Sequence, residues 1–119
     1  MTKESLQNNY RRGVASLVIL SLLKREDMYG YQLVQETERS SGGLLTTQEG
    51  SLYPVLYRLL DQGLISDRRV LVGKRMTRIY YHLEPAGEEK LNELIQEYET
   101  VTQGVFRIIR GEENKDDNP

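Results

Sequence analysis

The sequence predicts a mainly α chain with a small β-hairpin, ordered as three helices, two strands and one long last helix. Three observations carry that expectation. Apolar residues recur at helical spacing in four separate stretches. Ile79, Tyr81 and Leu83 alternate with Arg78, Tyr80 and His82, the period of two expected of a half-buried strand. After Pro85, apolar residues stand at Leu91, Leu94, Tyr98, Val101, Val105 and Ile108. Those intervals of three and four make a heptad, the spacing of a helix that pairs with another helix.

Residues 1–9 are polar and are expected to fray. From Tyr10 to Arg25 the pattern is helical and apolar nearly all round, with Val14, Leu17 and Val18 on one side and Ala15, Ile19, Leu22 and Leu23 on another. Such a helix must be covered on more than one side, which a small monomer supplies with difficulty. Glu26-Asp27 offers a turn and a cap for a second helix, Tyr29 to Arg39, with Leu33, Val34 and Thr37 inward. Ser40-Ser41-Gly42-Gly43 ends it, and Leu44-Leu45 is a short apolar link. Thr46-Thr47-Gln48-Glu49 fits a capping box for a third helix. Leu52, Val55, Leu56, Leu59 and Leu60 carry its stripe straight through Pro54, which predicts a kinked but continuous helix ending at Gly63. Leu64–Val72 and Thr77–Leu83 read as strands around a Gly73-Lys74-Arg75-Met76 tip. Glu84 then caps the last helix, with Pro85 at its first position.

Composition narrows the function. With no Cys and one His, the chain has no disulfide framework, thiolate site or His-rich metal site. No stretch approaches the roughly 20 apolar residues of a membrane span, and no secretory signal is visible. The expected location is the cytoplasm. An enzyme is disfavoured: no Ser-His-acid arrangement is apparent, and the residues around Ser51 do not form a nucleophile elbow. No cofactor is implied. The 119 residues suit one domain, and a hydrophobic content of 38% is low for a small monomer, so a partner subunit is expected.

The net charge of −2 conceals a division. Residues 1–83 carry 12 basic and 8 acidic side chains, whereas residues 84–119 carry 4 and 10. The second and third helices form a helix-turn-helix candidate, and the two strands form a wing. In such modules the third helix enters the DNA major groove and the wing tip reaches a nearby phosphate or groove. The positive part of the chain coincides with this reading head.

The candidate DNA-binding residues are Tyr29, Tyr31, Gln48, Ser51, Tyr57, Arg58, Lys74, Arg75 and Arg78. Gln suits adenine, and Arg suits guanine or phosphate; the tyrosine hydroxyls suit the backbone. Tyr53 and Tyr81 read better as packing residues. The candidate dimer interface is Val14 and Leu17 with the heptad Leu91, Leu94, Tyr98, Val101, Val105 and Ile108. The resulting division is a winged helix-turn-helix over 10–83, a C-terminal dimerisation helix over 84–110 and a disordered tail over 111–119. The reading is a homodimer on double-stranded DNA; the alternative is a protein-interaction adaptor using the same basic face without DNA readout.

Four stretches carry a family resemblance. They are Met28-Tyr29-Gly30-Tyr31-Gln32-Leu33, Gly50-Ser51-Leu52-Tyr53-Pro54-Val55-Leu56-Tyr57-Arg58-Leu59, Gly63-Leu64-Ile65, and Arg78-Ile79-Tyr80-Tyr81-His82-Leu83 with Gly87 following. In this order they resemble the PadR family of bacterial transcriptional regulators, from about residue 12 to residue 95. The resemblance implies a winged helix-turn-helix, a two-fold dimer through the first and last helices, and repression of a promoter. Glu84 stands where the family usually has a Thr cap. Short multidrug-sensing members stack flat ligands on a Trp of the last helix. This chain has no Trp, and Tyr98 falls at about the matching position. Tyr98 is therefore either a stacking residue for a small aromatic or lipophilic effector or a member of the dimer seam.

Overall fold

The computed structural model describes residues 3–111, with side chains from residue 14 onward. The expected disorder of residues 112–119 lies outside them. The elements are α1 (Lys3–Arg25), β1 (Met28–Tyr29), α2 (Gly30–Ser40), α3 (Glu49–Asp61), β2 (Ile65–Val72), β3 (Met76–Leu83) and α4 (Pro85–Arg110). The strands form one antiparallel sheet in the order β1-β3-β2.

The core gathers one or more residues from every element. Ile19, Leu20, Leu22 and Leu23 of α1 meet Met28, Leu33, Leu52, Leu56, Leu59, Ile65, Tyr81 and Leu91. Helix α1 is thus covered on several sides by its own chain, as an all-round apolar helix requires. Helix α2 presents Leu33 and Thr37 inward. The Thr37 hydroxyl donates to the Leu33 carbonyl at 2.8 Å, so its burial strands no polar group.

Several boundaries differ from expectation, each for a local reason. Helix α1 begins at Lys3, before the expected Tyr10; no Pro or Gly lies between to break it. Asp27 does not cap α2. The N-cap is Tyr29, with no side-chain cap bond, because the preceding residues pair with β3 as a third strand. Thr46 is not the N-cap of α3 either: the helix starts at Glu49 with Gln48 as its N-cap. The link over residues 41–48 is therefore longer than the expected one, which ended at the Thr46 cap. Its start is held by Ser41, whose hydroxyl accepts from the Leu45 amide at 2.9 Å.

Helix α3 runs unbroken through Pro54. Pro54 and Gly50, whose carbonyl loses its intrahelical donor, are both exposed. Water can satisfy that carbonyl, which lowers the penalty a proline imposes on a helix interior. Gly63 follows in the left-handed region at φ 72°.

In the hairpin, Ile65 pairs with Leu83 and Val72 with Met76, and Gly73 turns the tip at φ 75°. Tyr81 is buried, as expected, but Ile79 is 41% exposed and Leu71 67%. The alternation fails there because the outer half of the hairpin projects past the helices.

Helix α4 starts against the core. A β-carbon on Gly87 would overlap the Leu64 carbonyl oxygen and approach Leu83 Cδ1 at 2.7 Å. Lys24 of α1 pairs with Glu88 at 3.5 Å. Leu91 is buried, but Val101, Val105 and Ile108 are 59%, 48% and 82% exposed. The proximal end of the heptad is absorbed by the chain's own core, and its distal end is uncovered.

Candidate nucleic-acid interface

The exposed face of α3 carries Gly50, Pro54, Tyr57 and Arg58, one side of the helix by their spacing. Leu52, Leu56 and Leu59 fix the opposite side in the core. Gln48 stands exposed at the helix start. Its backbone carbonyl accepts from the Ser51 and Leu52 amides at 3.0 Å, and no side chain caps this end. Tyr57 is 61% exposed and stacks on Tyr53 with ring centroids 6.2 Å apart.

A cleft of about 420 Å³ opens between this helix pair and the wing. Tyr29, Gly30, Tyr31, Tyr53, Thr77, Arg78, Ile79 and Tyr81 line it. Three distant segments therefore converge here: the start of α2, the middle of α3 and strand β3. The Arg78 guanidinium lies over the Tyr29 ring at 4.3 Å, and the Tyr29 ring meets Tyr80 edge-on at 5.5 Å. Burial, then the nearby charge of Glu49 and the Tyr57 phenol, pushes the Tyr53 hydroxyl above its ordinary value. Burial above all pushes Tyr81 up to about 12. Both phenols stay protonated near neutral pH.

The predicted residues separate into groups. Tyr29, Tyr31 and Arg78 share the cleft. Lys74 and Arg75 stand exposed at the hairpin tip and form no ion pair among the described residues. Ser51 instead lines a second cleft of about 390 Å³, with Val14, Ala15 and Val18 of α1 and Thr46 and Thr47 of the link. Arg58 also reaches toward α1, donating to the Ser16 hydroxyl at 3.3 Å.

Of the six cations between Arg58 and Arg78, Arg68 is occupied, pairing with Asp27 at 2.5 Å. His82 is exposed, as expected, and its Nδ1 lies 2.7 Å from the other Asp27 oxygen. Sequence reasoning missed Tyr80 and the wing's use of Asp27. The alternation that placed Tyr80 and His82 on one strand face was the available signal.

The expected dimer residues also divide. Val14 and Leu91 are buried within the chain, at 8% and 1% exposure. Neither offers much surface to a partner. Leu17, Leu94 and Tyr98 are half-buried. Among the described residues no group of His, Cys, Asp and Glu could hold a metal ion, and no helix is long and apolar enough to cross a membrane.

Helices α2 and α3 followed by the β2-β3 hairpin define a winged helix-turn-helix protein, here extended by a long C-terminal helix. Comparison with known proteins then places it more narrowly. The model of the transcriptional regulator PadR-like family matches residues 19–93, and the chain belongs to that family. Its members are transcriptional regulators, not enzymes.

The transcriptional regulator YqjI of Escherichia coli is 31% identical over 99 residues, which are 83% of this chain and 46% of that protein. This chain therefore spans about half the length of that relative. A PadR family transcriptional regulator from Eggerthella lenta matches with a TM-score of 0.78 at 30% identity, covering 93% of each chain. The structure of Bacillus subtilis PadR in complex with operator DNA matches with a TM-score of 0.65 at 26% identity, over 69% of this chain and 46% of that one.

Proposed function

We propose that the protein is a cytoplasmic, sequence-specific DNA-binding repressor that acts as a homodimer on an inverted-repeat operator. The observation that carries this reading is the surface shared by α3 and the wing. Gln48 and Tyr57 are exposed, and the adjoining hairpin presents Lys74, Arg75 and Arg78 without carboxylate partners among the described residues. The similarity to a PadR solved with operator DNA supports it.

In this reading α3 enters the major groove with Gln48 at a base edge. Tyr57 lies along the groove wall, and Ser51 and Arg58 meet the backbone nearer α1. Lys74 and Arg75 hold the flanking phosphates. Tyr29, Tyr31 and Arg78 hold the phosphate beside the cleft. A second copy covers the distal half of α4, where Val101, Val105 and Ile108 are exposed, with Leu17, Leu94 and Tyr98 at the margin. The two reading helices then stand about one helical turn apart, roughly 34 Å. A small aromatic or lipophilic effector at the seam, beside Tyr98, would regulate binding through its preference for one dimer state.

A labelled duplex from the region upstream of the protein's own coding sequence, titrated at rising salt, tests this. Each phosphate contact releases about 0.9 counterion equivalents from duplex DNA, so affinity should fall steeply and linearly on a logarithmic scale. Affinity indifferent to salt, or no preference over random duplex, rejects the reading.

A further inference from the structure

Two features join the wing to the helices. One is the short β1-β3 ladder, in which Met28 pairs with Tyr81 and Tyr29 with Tyr80. The other is Asp27, immediately before that ladder. Its two oxygens go to different strands of the wing: Oδ2 takes the Arg68 guanidinium of β2 at 2.5 Å, and Oδ1 takes His82 Nδ1 of β3 at 2.7 Å. In the register, Arg68 faces Tyr80 and Ser66 faces His82. Arg68 and His82 are therefore diagonal neighbours on one face of the sheet, and a single carboxylate spans them.

We propose that Asp27 is a positioning residue that clamps the wing to the start of α2 through Arg68 and His82. The proposal rests on the DNA-binding reading above for its consequence, but not for the clamp itself.

Asp27 thus holds both strands of the wing from the helix side of the joint. Ser66 is the partner of His82 across the hairpin, and Arg78, further along β3, lies over Tyr29.

Burial opposes the ionisation of Asp27, but the hydrogen bonds and charges of His82 and Arg68 outweigh this and hold the carboxyl below its ordinary value. The ring stack of Arg78, Tyr29 and Tyr80 lies on the same joint. Loosening it would misplace Arg78 and, through the hairpin, Lys74 and Arg75.

The test compares the full-length wild type with Asp27→Asn, Asp27→Glu and His82→Gln by amide hydrogen exchange at a single pH, corrected for intrinsic rates. The paired residues Arg69 with Ile79 and Leu71 with Thr77 within the hairpin serve as internal reference. Protection at Met28, Tyr29, Tyr80 and Tyr81 should be about two- to five-fold lower in Asp27→Asn than in the wild type, the scale of a half-exposed ion pair, while the hairpin reference stays unchanged. His82→Gln should show the smaller loss, and Asp27→Glu, which keeps the carboxylate, should restore part of it. Affinity for the upstream duplex should fall and recover in the same order.

Protection at the β1-β3 residues that is unchanged by Asp27→Asn overturns the clamp. Protection that responds while affinity does not overturns the positioning role. Failure to bind the duplex rejects the DNA reading, and the exchange data still decide the clamp.

Discussion

The Tyr53 hydroxyl lies 2.6 Å from the point where a β-carbon on Gly30 would stand. This contact joins two sequence elements that are far apart in the chain: the Tyr29-Gly30-Tyr31 start of α2 and the Gly50 to Pro54 start of α3. Gly30 is helical and has no need of left-handed backbone. Its missing side chain makes room for the phenol that floors the cleft.

Gly30→Ala should therefore act on the cleft more than on the core. Overpacking a tight site typically costs about 1–3 kcal/mol, and the lower half of that range is expected because the displaced atom is the tip of a partly exposed ring. Tyr53 would shift and disturb its stack on Tyr57. Duplex affinity should drop several-fold while far-UV circular dichroism stays native. Adding Tyr53→Phe, which deletes the crowded oxygen, should recover part of the stability in thermal melts.

Gly87→Ala should behave differently. There the obstacle is the Leu64 carbonyl, a backbone atom held by the Glu84 amide at 3.1 Å. It cannot swing aside as a ring can. The helix α4 start must move off the sheet, with an expected loss of about 3 kcal/mol or more. Denaturant melts should show a lower midpoint, and Gly87→Ala should be the more damaging of the two glycine substitutions.

These two glycines mark the limits of what a sequence displays. The helix stripes, the hairpin, Gly63, Gly73 and the Pro85 start of α4 were legible because each depends on residues within one or two turns of itself. Strand β1 was not legible. Its pairing residues are Met28 and Tyr29, and their partners are Tyr81 and Tyr80, so no local period announces it. The same long reach took Asp27 from capping α2 to holding Arg68 and His82. The heptad of α4 was visible, but a periodicity does not name its partner. Leu91 belongs to the chain's own core, and only the distal members remain uncovered.

Within the DNA interface, charge and readout should separate. Lys74→Glu and Arg75→Glu should weaken binding to every duplex and lower the salt slope by about one per lost phosphate contact. Gln48→Ala should leave the salt slope unchanged and reduce the preference for the cognate duplex over random sequence by about 1–3 kcal/mol. Fluorescence anisotropy at several salt concentrations distinguishes these. A protein adaptor with no DNA readout would show the first effect toward an acidic partner and no preference for Gln48 to lose.

Alkaline pH should expose the burial of Tyr81. Its phenol is raised from 10.0 to about 12 in the folded chain, so the folded state disfavours the phenolate. Stability from this group is complete below the unfolded value and is lost as pH rises through 10 toward 12. The loss approaches about 2–3 kcal/mol at the top of that window. Tyr81→Phe carries no ionisable group and should flatten that part of the pH profile, measured by urea midpoints between pH 9 and 11 against the wild type.

The distal half of α4 offers the sharpest contrast between fold and assembly. Ile108 is 82% exposed and Val105 48%, so glutamate at either position disturbs nothing in the chain's own core. If a second copy covers that stripe, Val105→Glu with Ile108→Glu buries two carboxylates in an apolar seam, an arrangement that disfavours association. Sedimentation should then show a monomer whose circular dichroism over the winged helix is unchanged. Its duplex affinity should fall by orders of magnitude, because two half-sites are no longer held by one particle. Leu91→Ala, on the same stripe but 1% exposed, should instead cost about 2–5 kcal/mol of folding stability. A double glutamate variant that still sediments as a dimer would place the subunit contact elsewhere.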